Sequence, residues 1–464
     1  MSAATSCVTR RRVLQLGTSS FGALALGALG AQTAAAAAKT GPLAVRPPHS
    51  MPRAKRVIFL FMNGGPSQMD MFDPKPALRN LDGKPGRNKN RNLKGSQWDF
   101  AQHGESGMWF SELVPQLSKH ADRLCVIRSM QTASRAHPLA IPLLHTGSFQ
   151  FTRPSLGSWV VYGLGSEAGD LPGFVTINPT RTFGGPSNYG SAFLPTAYQA
   201  TRIGWEGKSL KGVTLRNISR PDVPEALQTE QLAMTQALNR EIIARSRSSQ
   251  HLEGVVDALG LSARMQASLP RVMDLSQESK STLDAYGIDG DVTDRFARQC
   301  LLARRLIEAG TRFVELTHGG WDHHSHMTKN LPKKCQQVDQ PISALLSDLA
   351  QRGLLDETLL VWAGEFGRQP EVQFLEGKPA DGRDHNAKGY TVWLAGGGVR
   401  AGLTYGATDE LGYEAVENHV PLVDLHATIL HLLGLDHTSL TFRYGGRDFR
   451  LTDVAGRVVE DIVA

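Results

Sequence analysis

Short apolar runs that end abruptly in turns constrain this chain more than any other feature. The first, Val57-Ile58-Phe59-Leu60-Phe61-Met62, is apolar at every position and stops at Asn63-Gly64-Gly65-Pro66-Ser67. A run apolar on both alternations suits a strand buried on both faces, and such strands belong to parallel sheets covered by helices. Further strands are predicted over residues 124–127, 311–316, 358–362 and 390–394, and the first three follow helical stretches at 112–120, 293–308 and 342–352. Strands alternating with helices predict an α/β fold: a mainly parallel central sheet with helices on both faces. Between about 180 and 290 the pattern changes. Helical periodicity over 223–247 and 252–272, without strands between, predicts a helical insertion. The polar, basic stretch 83–94 is expected to be a surface loop.

The first 38 residues read as an export signal. Thr9-Arg10-Arg11-Arg12-Val13-Leu14 follows the twin-arginine pattern, a mildly apolar run covers 16–31, and Ala34 to Ala38 offers A-x-A cleavage sites. No later stretch approaches ~18 uninterrupted apolar residues, so the mature chain is expected to carry no stable membrane span and to be periplasmic or secreted. Residues 39–54 are expected to be a linker and 55–464 the α/β domain. Arg10, Arg11 and Arg12 carry half of the formal charge of +6. The remainder is dispersed, which argues against nucleic acid as a partner. The four cysteines, Cys7, Cys125, Cys300 and Cys335, contain no C-x-x-C pair. They suggest buried thiols, not a disulfide framework or a thiolate zinc site.

In an open α/β sheet, ligands bind beyond the carboxyl ends of the strands. Gly64-Gly65-Pro66-Ser67-Gln68-Met69-Asp70 follows the first predicted strand. His318-Gly319-Gly320-Trp321-Asp322-His323-His324-Ser325-His326 follows the strand at 311–316. Gly364-Glu365-Phe366-Gly367-Arg368 follows that at 358–362, and Gly382-Arg383-Asp384-His385 comes soon after. Carboxylates gathered at one rim repel one another without a cation, and mixed oxygen and nitrogen donors suit a divalent metal. The candidate ligands are Asp70, Asp322, His324, His326, Glu365, Asp384 and His385. Zinc is the leading expectation, with manganese, calcium or magnesium as alternatives. For the nucleophile, Thr132, Ser134 and His137 compete within Thr132-Ala133-Ser134-Arg135-Ala136-His137-Pro138, which is expected to open a helix running to about His145. A hydroxyl at a helix N-terminus sits where backbone N–H groups favour an anion. No G-x-S-x-G elbow, P-loop or dinucleotide fingerprint is present.

The segments GGPSQMDMFDPKP, FLPTAYQ, GGWDHH, GEFGRQP, GRDH and AGGGVRAG resemble domain-of-unknown-function family 1501, which is similar to the alkaline phosphatase/sulfatase superfamily. The resemblance runs from about residue 55 to the end. It implies an alkaline phosphatase-like fold and a two-metal site. Asp70 would be the ligand near the first strand, with Asn63 where a phosphatase carries Asp. Asp322 with His324 or His326 would form an Asp–His ligand pair, Glu365 would replace an Asp-His pair, and His385 beside Asp384 would match the last His ligand. The C-x-P-x-R motif of formylglycine sulfatases is absent.

These readings predict an exported hydrolase of phosphate or sulfate esters acting on a small-molecule or carbohydrate ester. Two cations would activate a hydroxyl or water, and Arg135 or Arg368 would stabilise developing charge. A non-catalytic protein that binds metal or sulfated carbohydrate on the same fold is the alternative.

Overall fold

The computed structural model describes residues 42–88, 90–211, 268–375 and 378–464, with scattered positions between 224 and 265. The expected export signal, and most of the helices expected over 223–247 and 252–272, lie outside the described residues.

The strands that position the site are β1 Arg56–Asn63, β2 Leu124–Gln131, β3 Phe174–Ile177, β4 Thr201–Ile203, β5 Phe313–Gly319, β6 Thr358–Ala363, β7 Gly367–Leu375, β8 Lys378–Asn386, β9 Tyr390–Ala395, β10 Leu403–Tyr405 and β11 Val420–Pro421. Nine of them form the central sheet in the order β10-β2-β9-β6-β1-β5-β3-β4, with β11 beside β2. β1 runs parallel to β5 and β6, and β3 parallel to β4 and β5. Only β9 runs against its neighbours, β2 and β6. β7 and β8 form a separate antiparallel hairpin.

The apolar run predicted for β1 explains its central place. Ile58, Leu60 and Met62 enter one core with residues of helices α3 Asp294–Glu308 and α4 Met327–Gln351. Val57, Phe59 and Phe61 enter the other, with residues of α1 His137–Thr146, α2 Leu156–Leu164 and α5 Leu422–Leu432. Burying each such side chain contributes about 1.5–3 kcal/mol, so two apolar faces hold β1 between two helical layers. The fold is therefore the expected α/β one, mainly parallel, with helices on both faces.

Several local expectations change. The region 180–290 contributes a strand: β4 is an edge strand of three residues, too short to show a period. Around 112–120 there is no α-helix. A short strand, Met108–Ser111, is followed by the 3-10 helix Leu117–Arg123. Residues 42–54 form neither helix nor strand, yet they bond to the domain through Arg46 N to Leu164 O (3.0 Å), His49 N to Gly434 O (2.8 Å) and Ala54 N to Leu432 O (2.8 Å). Cys125, Cys300 and Cys335 are buried and unpaired, and burial pushes the Cys125 thiol up to about 12. No helix among the described residues is long and apolar enough to cross a membrane.

Candidate metal centre

β1, β5 and β6 end together, because Asn63 pairs with Gly319 and Phe61 with Ala363. The turns beyond these ends therefore meet. Gly64 has φ +123°, and a Cβ there would fall 2.5 Å from Asp322 N. Only glycine lets the turn after β1 pack this closely on the turn after β5. Trp321 N donates to Asn63 O (3.2 Å), which fixes the backbone just before Asp322. Gly64 N donates to both oxygens of Glu365 (3.0 and 3.1 Å), two residues beyond β6. The hairpin β7–β8 brings in His385, and α1 brings in His137 as its first residue.

Three imidazoles converge on one carboxylate. His385 Nε2 and His324 Nε2 each lie 3.0 Å from Asp322 Oδ1, and His137 Nε2 lies 3.3 Å from Oδ2. Arg368 Nη2 reaches Oδ1 at 2.6 Å. The outer nitrogens of two imidazoles are also held. His137 Nδ1 contacts Glu365 Oε1 at 2.6 Å, and His385 Nδ1 contacts the Arg135 carbonyl at 2.7 Å. Both partners accept, so each Nδ1 carries the proton and each Nε2 turns to the cluster; a metal-ligating histidine is held in this way. Phe366 covers His137 and His385 (ring centroids 4.8 and 4.3 Å), and Phe183 stacks on His137.

The charges fit a cation. Burial acts to raise the pKa of Asp322, but hydrogen bonds from His137, His324 and His385, with the Arg368 charge, hold it well below the usual carboxylate range. Burial acts to lower His137, yet Asp322 and Glu365 raise it to about 9. Two carboxylates thus draw a proton onto His137, where a metal would bring its own positive charge. Donor atoms of His137, Asp322 and His385 lie within 4.8 Å of one another. A tetrahedral ion about 2.1 Å from its ligands holds them roughly 3.4 Å apart, and His385 Nε2 and His137 Nε2 stand 3.0 and 3.3 Å from the Asp322 oxygens. His137 Nε2 is enclosed, and the atom it faces is Asp322 Oδ2 at 3.3 Å.

The other expected residues take different places. Asp70 is drawn away: Arg383 donates to it through Nε (2.8 Å) and Nη2 (3.1 Å), and both side chains are fully buried. Asp384 pairs with Arg91 (2.9 Å), because adjacent strand positions face opposite ways and His385 takes the inward one. His326 is exposed just before α4, outside the cluster. Glu365 bonds to His137 Nδ1 and Gly64 N, away from the Nε2 atoms that converge on Asp322. One ion, not two, suits the donors brought together. Arg368 is 1% exposed and donates to the carbonyls of Gly65, Arg383, Gly64 and Trp321 as well as to Asp322, so it clamps the rim and is not open to a substrate. The helix starts at His137, with proline in its first turn, so Ser134 and Thr132 precede it. Ser134 Oγ accepts from Ala136 N (3.1 Å), and Thr132 Oγ1 is enclosed without a partner. Arg135 is exposed beside His385.

Sequence reasoning placed His137 among the nucleophiles, not the ligands, and missed Arg383 and the two phenylalanines. The available signal was the Arg-x-His spacing of Arg383 and His385, which puts both on one strand face. Replacing Glu365 with Gln is expected to weaken metal binding about 10–100-fold, because His137 loses the carboxylate that fixes its tautomer. Competition with a chelating dye measures this.

The family model described as "Protein of unknown function (DUF1501)" matches residues 54–463. No curated protein matches. Among solved structures, the chain aligns with the lipoteichoic acid synthase LtaP from Listeria monocytogenes at 9% identity, over 89% of this chain and 79% of that one, with a TM-score of 0.37. It aligns with an alkaline phosphatase superfamily protein from Vibrio parahaemolyticus at 12% identity, over 85% and 70%, TM-score 0.36. It also aligns with the C-terminal periplasmic domain of EcEptC from Escherichia coli, in complex with Zn, at 10% identity, over 85% and 88%, TM-score 0.36. Superpositions this loose assign no activity.

Proposed function

The chain belongs to the DUF1501 family of proteins of unknown function, and within it we propose an exported, metal-dependent hydrolase of phosphate or sulfate esters. One observation carries this reading: His137, His324 and His385 converge on Asp322 at the carboxyl rim of the central sheet. Ligands of open α/β sheets bind at that rim. Export rests on the twin-arginine pattern of residues 1–38.

His137, Asp322 and His385, with His324 beside them, would hold the ion, and zinc suits the three imidazoles best. A divalent ion there supplies a Lewis acid for the ester oxygen and for an attacking water. Glu365 keeps the His137 proton on Nδ1, and the Arg135 carbonyl does the same for His385. Arg368 anchors Asp322 and leaves its second oxygen, Oδ2, to the ion. Phe366 and Phe183 limit water around the imidazoles. The exposed Arg135 is the cation placed to meet an anionic ester. Among the described residues no hydroxyl hydrogen-bonds to the cluster, which favours water over Ser134 or Thr132 as the nucleophile.

Purified protein equilibrated with zinc or manganese should cleave an aryl phosphate or an aryl sulfate faster than the Asp322→Ala variant. Equal rates on both esters would remove the proposal. The same lack of a hydroxyl, and the engagement of Arg368 with backbone, favour a second reading: a binding protein that holds metal and an anionic ligand without turnover. Ligand affinity with no turnover would establish that reading.

A further inference from the structure

A second cleft opens on the same rim, beyond the ends of β3 and β5. It has a volume of about 430 Å³, the size of a small-ligand site. Four cations line it: Arg181, Lys208, Arg295 and Lys334. Glu206 is its one lining carboxylate, and Asn63 already donates to it (2.9 Å). Among the described residues, none of the four cations forms an ion pair. Glu206 offsets only one of the four charges, so the remaining like charges repel one another and an anion that enters stabilises the arrangement.

The wall carries a second, independent sign. Gln299 and Thr317 are 4% and 2% exposed, and Gln299 Oε1 and Thr317 Oγ1 have no hydrogen-bond partner. Buried polar groups are normally satisfied, so two such oxygens on residues of one cleft wall mark a place for donors that a ligand brings. Burial lowers the pKa of Lys334, Glu206 raises it and Arg295 lowers it, as expected for a cation crowded by another.

The cleft leads to the cluster. Gly319 and Gly320 lie in its lining, and Asp322 follows two residues later. A Cβ on Gly320 would fall 2.7 Å from Lys334 Nζ, and one on Gly319 would fall 1.7 Å from Glu206 Oε1. Bare backbone at both positions lets these two charged side chains lie across the path between cleft and cluster.

We infer that this cleft is a binding subsite for an anionic sugar, in which the four cations take a sulfate, phosphate or carboxylate group and the unpaired oxygens of Gln299 and Thr317 take sugar hydroxyls. The subsite stands on its own residues. That its occupant is the substrate rests on the reading of the Asp322 cluster as a hydrolytic centre.

Calorimetry with glucose 6-sulfate and with glucose, in metal-free buffer so that nothing turns over, tests the subsite. The sulfated sugar should bind wild-type protein and the Asp322→Ala variant alike, and glucose should bind far more weakly. Arg295→Gln with Lys334→Gln should weaken glucose 6-sulfate binding at least about tenfold, as loss of charge-assisted contacts does, while zinc content stays at the wild-type value. If the double variant misfolds by circular dichroism, Arg181→Gln, at an exposed position, serves in its place with a smaller loss. The subsite is overturned if glucose 6-sulfate fails to bind, if glucose binds equally well, if the variants bind as wild type does, or if Asp322→Ala abolishes binding. The last result would put the anion at the cluster. Anion binding that persists in a protein without esterase activity would remove the hydrolase reading and leave the subsite standing.

Discussion

Asp322→Ala should strip the cluster of its metal, to below about 0.1 ion per chain, as expected when a formed site is lost. The carboxylate is the one group that His137, His324, His385 and Arg368 share. Without it, the imidazoles and the guanidinium lose the carboxylate they share, and Glu365, already bonded to His137 Nδ1 and Gly64 N, does not face the Nε2 atoms in its place. Ester hydrolysis should fall about 10³-fold, because Lewis-acid stabilisation is worth several kcal/mol and each 1.36 kcal/mol is a factor of ten. The fold should survive, since Arg368 keeps four backbone carbonyls as acceptors. Asp322→Asn separates charge from shape. It keeps an oxygen near His385 and removes the charge, so it should bind metal poorly too. A variant that keeps full metal content and full activity would show that Asp322 is not a ligand.

Asp70→Ala should destabilise the protein by about 3–5 kcal/mol while leaving the cluster residues in place. Asp70 and Arg383 are both fully buried, and the Arg383 guanidinium meets the carboxylate through two nitrogens. Removing the carboxylate leaves a buried, uncompensated charge, whose cost exceeds the net value of the pair. Replacing both partners, with Asp70→Leu and Arg383→Met, should recover most of the loss, since no charge is then left without a partner. The exposed pair Lys280–Asp284 is the control. Asp284→Ala should cost less than about 1 kcal/mol, as exposed ion pairs do. Denaturant midpoints of the four proteins measure the differences. An Asp70→Ala variant as stable as the control would contradict the account of Asp70 as a structural anchor.

The contrast between Asp70 and Asp322 shows what the sequence can and cannot carry. Both follow strands predicted correctly, and both look like rim carboxylates. Their fates are set by Arg383 and Arg368, which come from distant segments. Arg383 meets Asp70 through two nitrogens besides reaching the carbonyls of Lys94, Gln369 and Pro370, whereas Arg368 gives one nitrogen to Asp322 Oδ1, also reaches four carbonyls and leaves Asp322 Oδ2 open to the cluster. No local pattern reveals that division. The strands that hold the site were legible where burial on both faces leaves a continuous apolar run, as in Val57 to Met62. β4 and β10 were not, since three residues show no periodicity and their place is fixed by a neighbouring strand. His137 was legible as a residue of interest through its place at a helix start. The ligand role proposed for it required knowing that Glu365, distant in the sequence, would accept a hydrogen bond from its Nδ1.

Elemental mass spectrometry of protein equilibrated with zinc and freed of unbound ions tests the centre most directly. About one zinc per chain in the wild-type protein, absent from Asp322→Ala, is the predicted result. Less than about 0.1 zinc in the wild-type protein, or equal zinc in both, would contradict a cation held by His137, Asp322 and His385.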